Sequence, residues 1–371
     1  MNLLRFFAAD TCDDFLMTRL AINAPDSLEL LPALQLCSDP RRLGQHDEYF
    51  INFSRTRTLT PFGMLLAAAE LDRLRRSNNG AQISVGNYGH MGYGAHMGFF
   101  QAFGTSIGKA PGEALGSKNY LPITIFRTDA LIRSAAISGR EVGDEIESEC
   151  KRMAETLIGQ GEGDVFDAFA YSMREIMRNV IEHARADSVH ICSQYWPTKG
   201  RAEVAILDCG IGLRDSIKSN PHIDASDDRK AIHYALMPAV SGKAFKGAPA
   251  QRGARQWKNS GFGLYMTSRL CRNGGNFFIA SGEKGVLLTA GTGGKRVFDT
   301  SFSGTAIRMT IRTDQIANLK DALTKYREEG FEIQKKYQEI VSIDPSSASL
   351  MLSHDFNLST WDRLRSRFKT S

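Results

Sequence analysis

At 371 residues with 42% hydrophobic content, the chain has room for two domains of about 100–200 residues, each with its own core. A formal net charge of +5 is too small a surplus to argue for nucleic acid, which asks for a clustered basic patch. The six cysteines, Cys12, Cys37, Cys150, Cys192, Cys209 and Cys271, form no C-x-x-C pair and no disulfide or metal spacing, which points to free thiols in a reducing compartment.

The opening stretch, MNLLRFFAADTCDDF, lacks the long apolar core of a signal peptide, and no later window approaches the roughly 20 apolar residues of a membrane helix. A cytoplasmic protein without membrane association is expected. Residues 49–53, YFINF, are aromatic and β-branched and predict a strand. The stretch RTRTLTPFG then turns at Pro61 and Gly63. MLLAAAELDRLRRS carries helical spacing up to the stop at Asn78-Asn79-Gly80, and AQISVG predicts another strand. Strand, helix and strand make a small α/β unit, which we bound at residues 1–118. In the glycine-rich turn that follows, the aromatic and Met residues of Met91–Phe103 read as packing, and His90 and His96 do not read as a metal site.

Residues 119–160 are expected to be a helical connector, interrupted by Gly139 and Gly143. DVFDAFAYSMREIMRNVIEHAR, 164–185, is a strongly amphipathic helix. Strands are expected at 188–195 and 202–207. Residues 213–260 are polar, basic and poor in pattern, as in a lid or binding loop. A helix at 264–272, an apolar segment at 276–281, a glycine-rich turn region and the strand TAIRMTIRT follow. A helical tail begins at 314 and is expected to run to about 342. No internal repeat is visible.

Four short segments carry chemistry. Glu175, Asn179 and His183 fall at i, i+4 and i+8 of one helix, so they share a face. An Asn oxygen is a hard ligand suited to Mg²⁺, and a Glu one turn away can orient or deprotonate a nucleophile. In AILDCGIGL, Asp208 ends an apolar strand, and Gly210 and Gly212 follow it. A fixed carboxylate beside bare backbone can accept a hydrogen bond from the amino group of a flat ring. In NSGFGLYMTSRLC, Ser260, Gly261, Phe262, Gly263 and Leu264 lead into a helix whose amides can cradle phosphate. Gly304-Thr305 opens the last strand, with the Thr305 hydroxyl available to the polar edge of an adenine site.

In order and spacing, Glu175-x-x-x-Asn179, Asp208-x-Gly210-x-Gly212, Gly261-x-Gly263-Leu264 and Gly304-Thr305 resemble the N box and the three glycine boxes of the GHKL superfamily. That group includes DNA gyrase, histidine kinases, MutL-type repair proteins and anti-sigma-factor serine kinases. The likeness covers roughly residues 164–313, within an expected domain of 161–313. It implies the Bergerat fold, a two-layer α/β sandwich with a mixed sheet backed by helices. It also implies Mg²⁺-ATP as ligand, Asn179 on Mg²⁺, Glu175 as general base, Asp208 reading adenine, and an ATP lid between Gly212 and Gly261. The lid carries Lys243, Lys246, Arg252, Arg255 and Lys258, any of which, Lys243 first, can serve as a charge clamp on the terminal phosphate. His183 is then expected to be structural.

The first half more weakly resembles a STAS-type domain, the fold of anti-anti-sigma factors, in YFINF, the LTPFGMLL turn and AQISVG. The D-S-S-G turn of that family is replaced by Leu59-Thr60-Pro61-Phe62-Gly63, so its phosphorylatable serine is missing, and neither Thr58 nor Thr60 replaces it. An interaction module for a protein partner is expected there. Together the two likenesses imply an ATP-driven regulatory switch or slow ATPase, with a bacterial stress or defence role suggested by the pairing. The alternatives are an anti-sigma-type Ser/Thr kinase acting on a partner and a nucleotide-binding module without turnover. Many relatives act as dimers, so a homodimer is open. A histidine kinase is disfavoured because no H-E-x-x-x-P box is present. Too few residues follow 313 for the transducer domain of a topoisomerase or repair protein, and nothing beyond the basic lid supports nucleic acid.

Overall fold

Two sheets of opposite character follow one another along the chain. In the computed structural model, residues 17–37, 43–242, 261–291, 293–316 and 318–338 are described. The first sheet is parallel and built from β1 (Arg19–Asn23), β3 (Glu48–Asn52) and β5 (Gln82–Gly86), in the order β1-β3-β5. A minor parallel pair joins β2 (Ser27–Leu28) to β4 (Thr58–Leu59). Around these pack α1 (Leu30–Cys37), α2 (Pro61–Ser77) and the short α3 (Gly92–His96). Pro61 occupies the first turn of α2, where a missing N–H costs nothing, and Thr60 caps it by accepting from the Gly63 amide at 3.3 Å. The same hydroxyl donates to Leu28 O at 2.9 Å, so Thr60 is a buried structural group. The Met91–Phe103 stretch packs as expected: Phe99, Phe100 and Phe103 are fully buried, with rings 5.1–6.1 Å apart.

The second sheet has five strands in the order β6-β7-β8-β10-β9: β6 (Tyr120–Arg127), β7 (Ser188–Trp196), β8 (Arg201–Asp208), β9 (Asn276–Thr289) and β10 (Lys295–Arg312). Every neighbouring pair is antiparallel, so the mixed sheet expected from the sequence is corrected. One face carries α4 (Thr128–Ser138), α5 (Val142–Ile158), α6 (Asp164–Asn179), α7 (Gly212–Ile217), α8 (Asp228–Ala235), α9 (Gly263–Arg272) and α10 (Leu319–Gln338), sharing one core. The other face is covered by α2 of the first half, which lies on β7, β8 and β10. Strand β8 explains why: Ala202, Val204 and Ile206 point into the helical core, and Ala205 and Leu207 point toward α2. A strand apolar on both faces has to be covered on both.

A buried ionic node fastens α2 to the sheet. Glu203 of β8 has no exposed surface, accepts from the Phe62 amide at 3.0 Å and pairs with Arg308 of β10 at 2.8 Å. Arg308 in turn donates to Asn276 Oδ1 at 2.7 Å.

Two further expectations change. Residues 119–160, expected to be a helical connector, are helical only from Thr128: Tyr120–Arg127 is β6, the edge of the five-stranded sheet, and Leu121, Leu131, Ile146, Cys150 and Leu157 belong to its helical core. Gly139 caps α4 in the left-handed region at φ 64°, which lets the chain turn into α5. The stretch read as a loop from 213 contains α7 and α8. Asp227 caps α8 by accepting from the Lys230 amide at 2.8 Å, and Ile232, Tyr234, Leu236 and Met237 are buried. Both helices are short, so their periodicity is slight. The glycine-rich region before TAIRMTIRT forms the far end of the β9–β10 hairpin, where two register shifts near Phe302 break the alternation.

Candidate functional site

A cleft lies on the helical face. It gathers segments far apart in the chain: the end of α6, the end of β8, the start of α7, the start of α9 and the middle of β10. Its walls are largely apolar, with Ile176, Val180, Ile206, Leu213, Ile217 and Ile307 among them.

Helix α6 ends in a π-helical turn at Val180–Ala184, after which Arg185 takes the left-handed conformation at φ 50°. Asn179 and His183 line the cleft from this segment. The turn also places Ala184 O to accept from the Ile211 amide at 2.8 Å, joining the end of α6 to the turn after β8. Gly210 sits against that carbonyl, and a Cβ there would lie 2.1 Å from it. Only glycine fits so close an approach.

Asp208 is a buried carboxylate of the cleft, 1% exposed. Its Oδ1 accepts from the Gly210 amide at 2.8 Å. Burial pushes its pKa up to about 6, while hydrogen bonds from the Gly210 amide and from the Thr305 amide and hydroxyl oppose the rise. Behind this pair, Ser281 of β9 donates to Gly304 O at 2.8 Å and accepts from the Leu213 amide at 2.9 Å. Ser281 thereby ties the Gly212 turn to β10. Its only trace in the sequence is a polar residue closing an apolar run, and the sequence reading did not single it out.

At the other end, Gly261, Gly263 and Leu264 line the cleft where α9 begins. The residue before the helix, Phe262, gives it no side-chain cap. An uncapped first turn presents partial positive charge and amide donors to an anion. The chain on either side is tied down nearby: Ala239 N donates to Gly261 O at 3.1 Å, and Ser219 donates to Gly242 O at 2.6 Å. Ser241 and Gly242, which the sequence reading did not single out, line the cleft as well.

Of the residues singled out from sequence, Asn179, Asp208, Gly212, Gly261, Gly263, Leu264 and Thr305 converge here. The others stand apart. Gly210 supports the turn from behind. The Phe262 ring faces Phe331 at 5.0 Å and Tyr265 at 6.2 Å, toward α10. Glu175 is not among the lining groups; its carboxylate accepts from Arg174 at 3.0 Å and lies close behind Gly263. Lys243, Lys246, Arg252, Arg255, Lys258 and Ser260 lie outside the described residues.

Chemically, this cleft can take a flat apolar body whose polar edge donates to Asp208, with an anionic group at the start of α9 and a hard cation beside Asn179. Among the described residues, no helix is long and apolar enough to cross a membrane. No family model matches the chain, and no curated protein matches it.

Proposed function

We propose that the chain is a GHKL-type, Mg²⁺-ATP-binding protein that works as an ATP-driven regulatory switch or slow ATPase. The observation that carries this reading is the convergence of four separate segments, those of Asn179, Asp208, Gly263 and Thr305, on one cleft. Adenine would sit on the apolar walls with its amino group donating to Asp208. The triphosphate would run toward the start of α9. Asn179 would supply a protein oxygen to Mg²⁺, an ion that keeps several waters and takes few protein ligands. The bound metal would neutralise charge on the phosphates. The cover of α2 on the opposite face supports a switch, because β8 and β10 touch both the cleft and the first half of the chain. That half would serve as the STAS-like interaction module for a protein partner.

One observation favours a second reading, a nucleotide-binding module without turnover. The Glu175 carboxylate is held by Arg174 outside the group of cleft-lining residues. A general base has to reach the nucleophile, so turnover requires Glu175 to leave this pairing. Transfer to a protein acceptor, as in anti-sigma-type kinases, stays the other alternative.

The deciding experiment is calorimetric titration of ATP with and without Mg²⁺, followed by γ-labelled turnover resolved into free phosphate and protein-bound label. Mg²⁺-dependent binding that Asn179→Ala weakens at least tenfold supports the cleft as an ATP site. No ATP binding, or equal binding by Asn179→Ala, overturns it. Free phosphate supports the ATPase, protein-bound label the kinase, and binding without turnover the passive module.

A further inference from the structure

The parallel strands β1, β3 and β5 end side by side at Asn23, Asn52 and Gly86. In parallel α/β sheets, ligands gather beyond the carboxyl ends of the strands, where the loops diverge. Here the loops after β3 and β5 face the β7–β8 hairpin of the second sheet, and a cleft of about 890 Å³ opens between them. It shares no lining residue with the cleft at Asp208.

Its charge is one-sided. Arg57, Lys199 and Arg201 line it, with His90 beside Arg57 at 2.7 Å, and the acid in the lining is Glu29. Among the described residues most arginines meet a carboxylate, as Arg19, Arg73, Arg174 and Arg308 do. Among the described residues, Arg57, Lys199 and Arg201 form no ion pair. Arg201 lies 4.7 Å over the Trp196 ring, which fixes the guanidinium plane, and its buried Nε has no hydrogen-bond partner. An unanswered buried donor is costly unless a ligand satisfies it. Tyr93, held by donating to Gln194 Oε1 at 2.6 Å, gives the cleft a second aromatic ring.

We propose that this cleft is a second ligand site, for a phosphoryl group carried on a small ring-bearing molecule. Three cations approaching from two loops suit a dianion with three acceptor oxygens better than a monoanionic carboxylate, and arginine forks match phosphoryl geometry. Trp196 and Tyr93 flank the ring. Strand β8 begins at Arg201 and ends at Asp208, so the two clefts lie at opposite ends of one strand, on the order of 20 Å apart.

The test is calorimetric titration of the full chain with phenyl phosphate, and in parallel with benzoate. Saturable phenyl phosphate binding is expected, tighter than benzoate. It should weaken tenfold or more in Arg201→Gln and in Arg57→Gln, and stay unchanged in Asp208→Asn. Lys199→Gln, at an exposed position, should weaken it without any change in melting temperature, which separates loss of a contact from loss of fold. Absence of saturable binding by the unaltered protein overturns the proposal, as does binding indifferent to all three substitutions. Loss in Asp208→Asn would place the ligand in the other cleft, and benzoate binding as tightly would remove the phosphoryl assignment; either outcome also overturns it.

Discussion

Thr305 stands directly opposite Asp208 in the β8–β10 ladder, although α7, α8, α9 and β9 all lie between them in the chain. The pairing gives a buried carboxylate two donors from one residue, amide and hydroxyl, and leaves it able to accept from a ligand.

Asp208 should impose a pH dependence. Its folded pKa of about 6 lies above the ordinary aspartate value near 3.9. Below about pH 4 both the folded and the unfolded chain hold the proton, and no penalty arises. As pH rises toward 6 the unfolded chain releases its proton first, so this group's contribution to stability falls, by about 3 kcal/mol in all, and levels above 6. Asp208→Asn should flatten that part of a urea-denaturation pH profile. Under the proposed reading, the adenine amino group donates to the carboxylate, so ATP affinity should rise from pH 5 toward 6 and then level. Calorimetry across pH 5–7.5 reads this, and affinity falling with pH would remove the adenine assignment.

Glu175 should separate binding from chemistry. If it is the base, Glu175→Ala should keep ATP affinity within about threefold while phosphate release drops by a hundredfold or more, the usual worth of a general base. Single-turnover measurement with labelled ATP reads both. Turnover equal to that of the unaltered protein would leave Glu175 as only a partner of Arg174.

Gly304 should tolerate no side chain. Its φ of +115° lies in the region that glycine alone occupies readily, and a Cβ would sit 2.1 Å from Asp208 O. Gly304→Ala should cost about 3 kcal/mol and weaken nucleotide binding by displacing the Asp208–Thr305 pair. Gly293→Ala is the control: φ is +78° but nothing stands within 4 Å, so only the backbone strain of about 1 kcal/mol applies. Equal losses from the two substitutions in chemical denaturation would contradict this picture.

Glu203 should be a stability determinant with no part in ligand contact. Glu203→Ala leaves Arg308 largely buried without its carboxylate and removes the acceptor at the Phe62 amide, at a cost of about 3–5 kcal/mol. Because the node joins α2 to the sheet, cleavage by a protease within residues 17–118 should accelerate in this variant. An unchanged denaturation midpoint would show that the pair contributes little beyond its own desolvation.

The elements that could be read in advance are those with strong local patterns. Helix α6 has a long apolar stripe, and β7 and β8 are apolar runs bounded by turns. The residues of the cleft at Asn179, Asp208, Gly212, Gly263 and Thr305 could be named because each belongs to a short motif with its own local signature. Helices α7 and α8 escaped notice because one or two turns carry too little periodicity, and β6 because its strand is followed at once by charged helix. Glu203 gave no signal, since a lone acid in an apolar strand reads as a solvent-facing position until the element covering it is known.

The sequence by itself determined the strongly patterned elements, α2, α6, β7 and β8 among them, and which residues can do polar chemistry, because capping, periodicity and glycine placement act over a few neighbouring residues. Only the tertiary structure decided that β8 is covered on both faces, that Ser281 bridges the Gly212 turn to β10, and that Arg57 and Arg201 line one cleft between the two sheets. Those relationships depend on which faces pack together, and packing is settled by the joint burial of segments far apart in the chain.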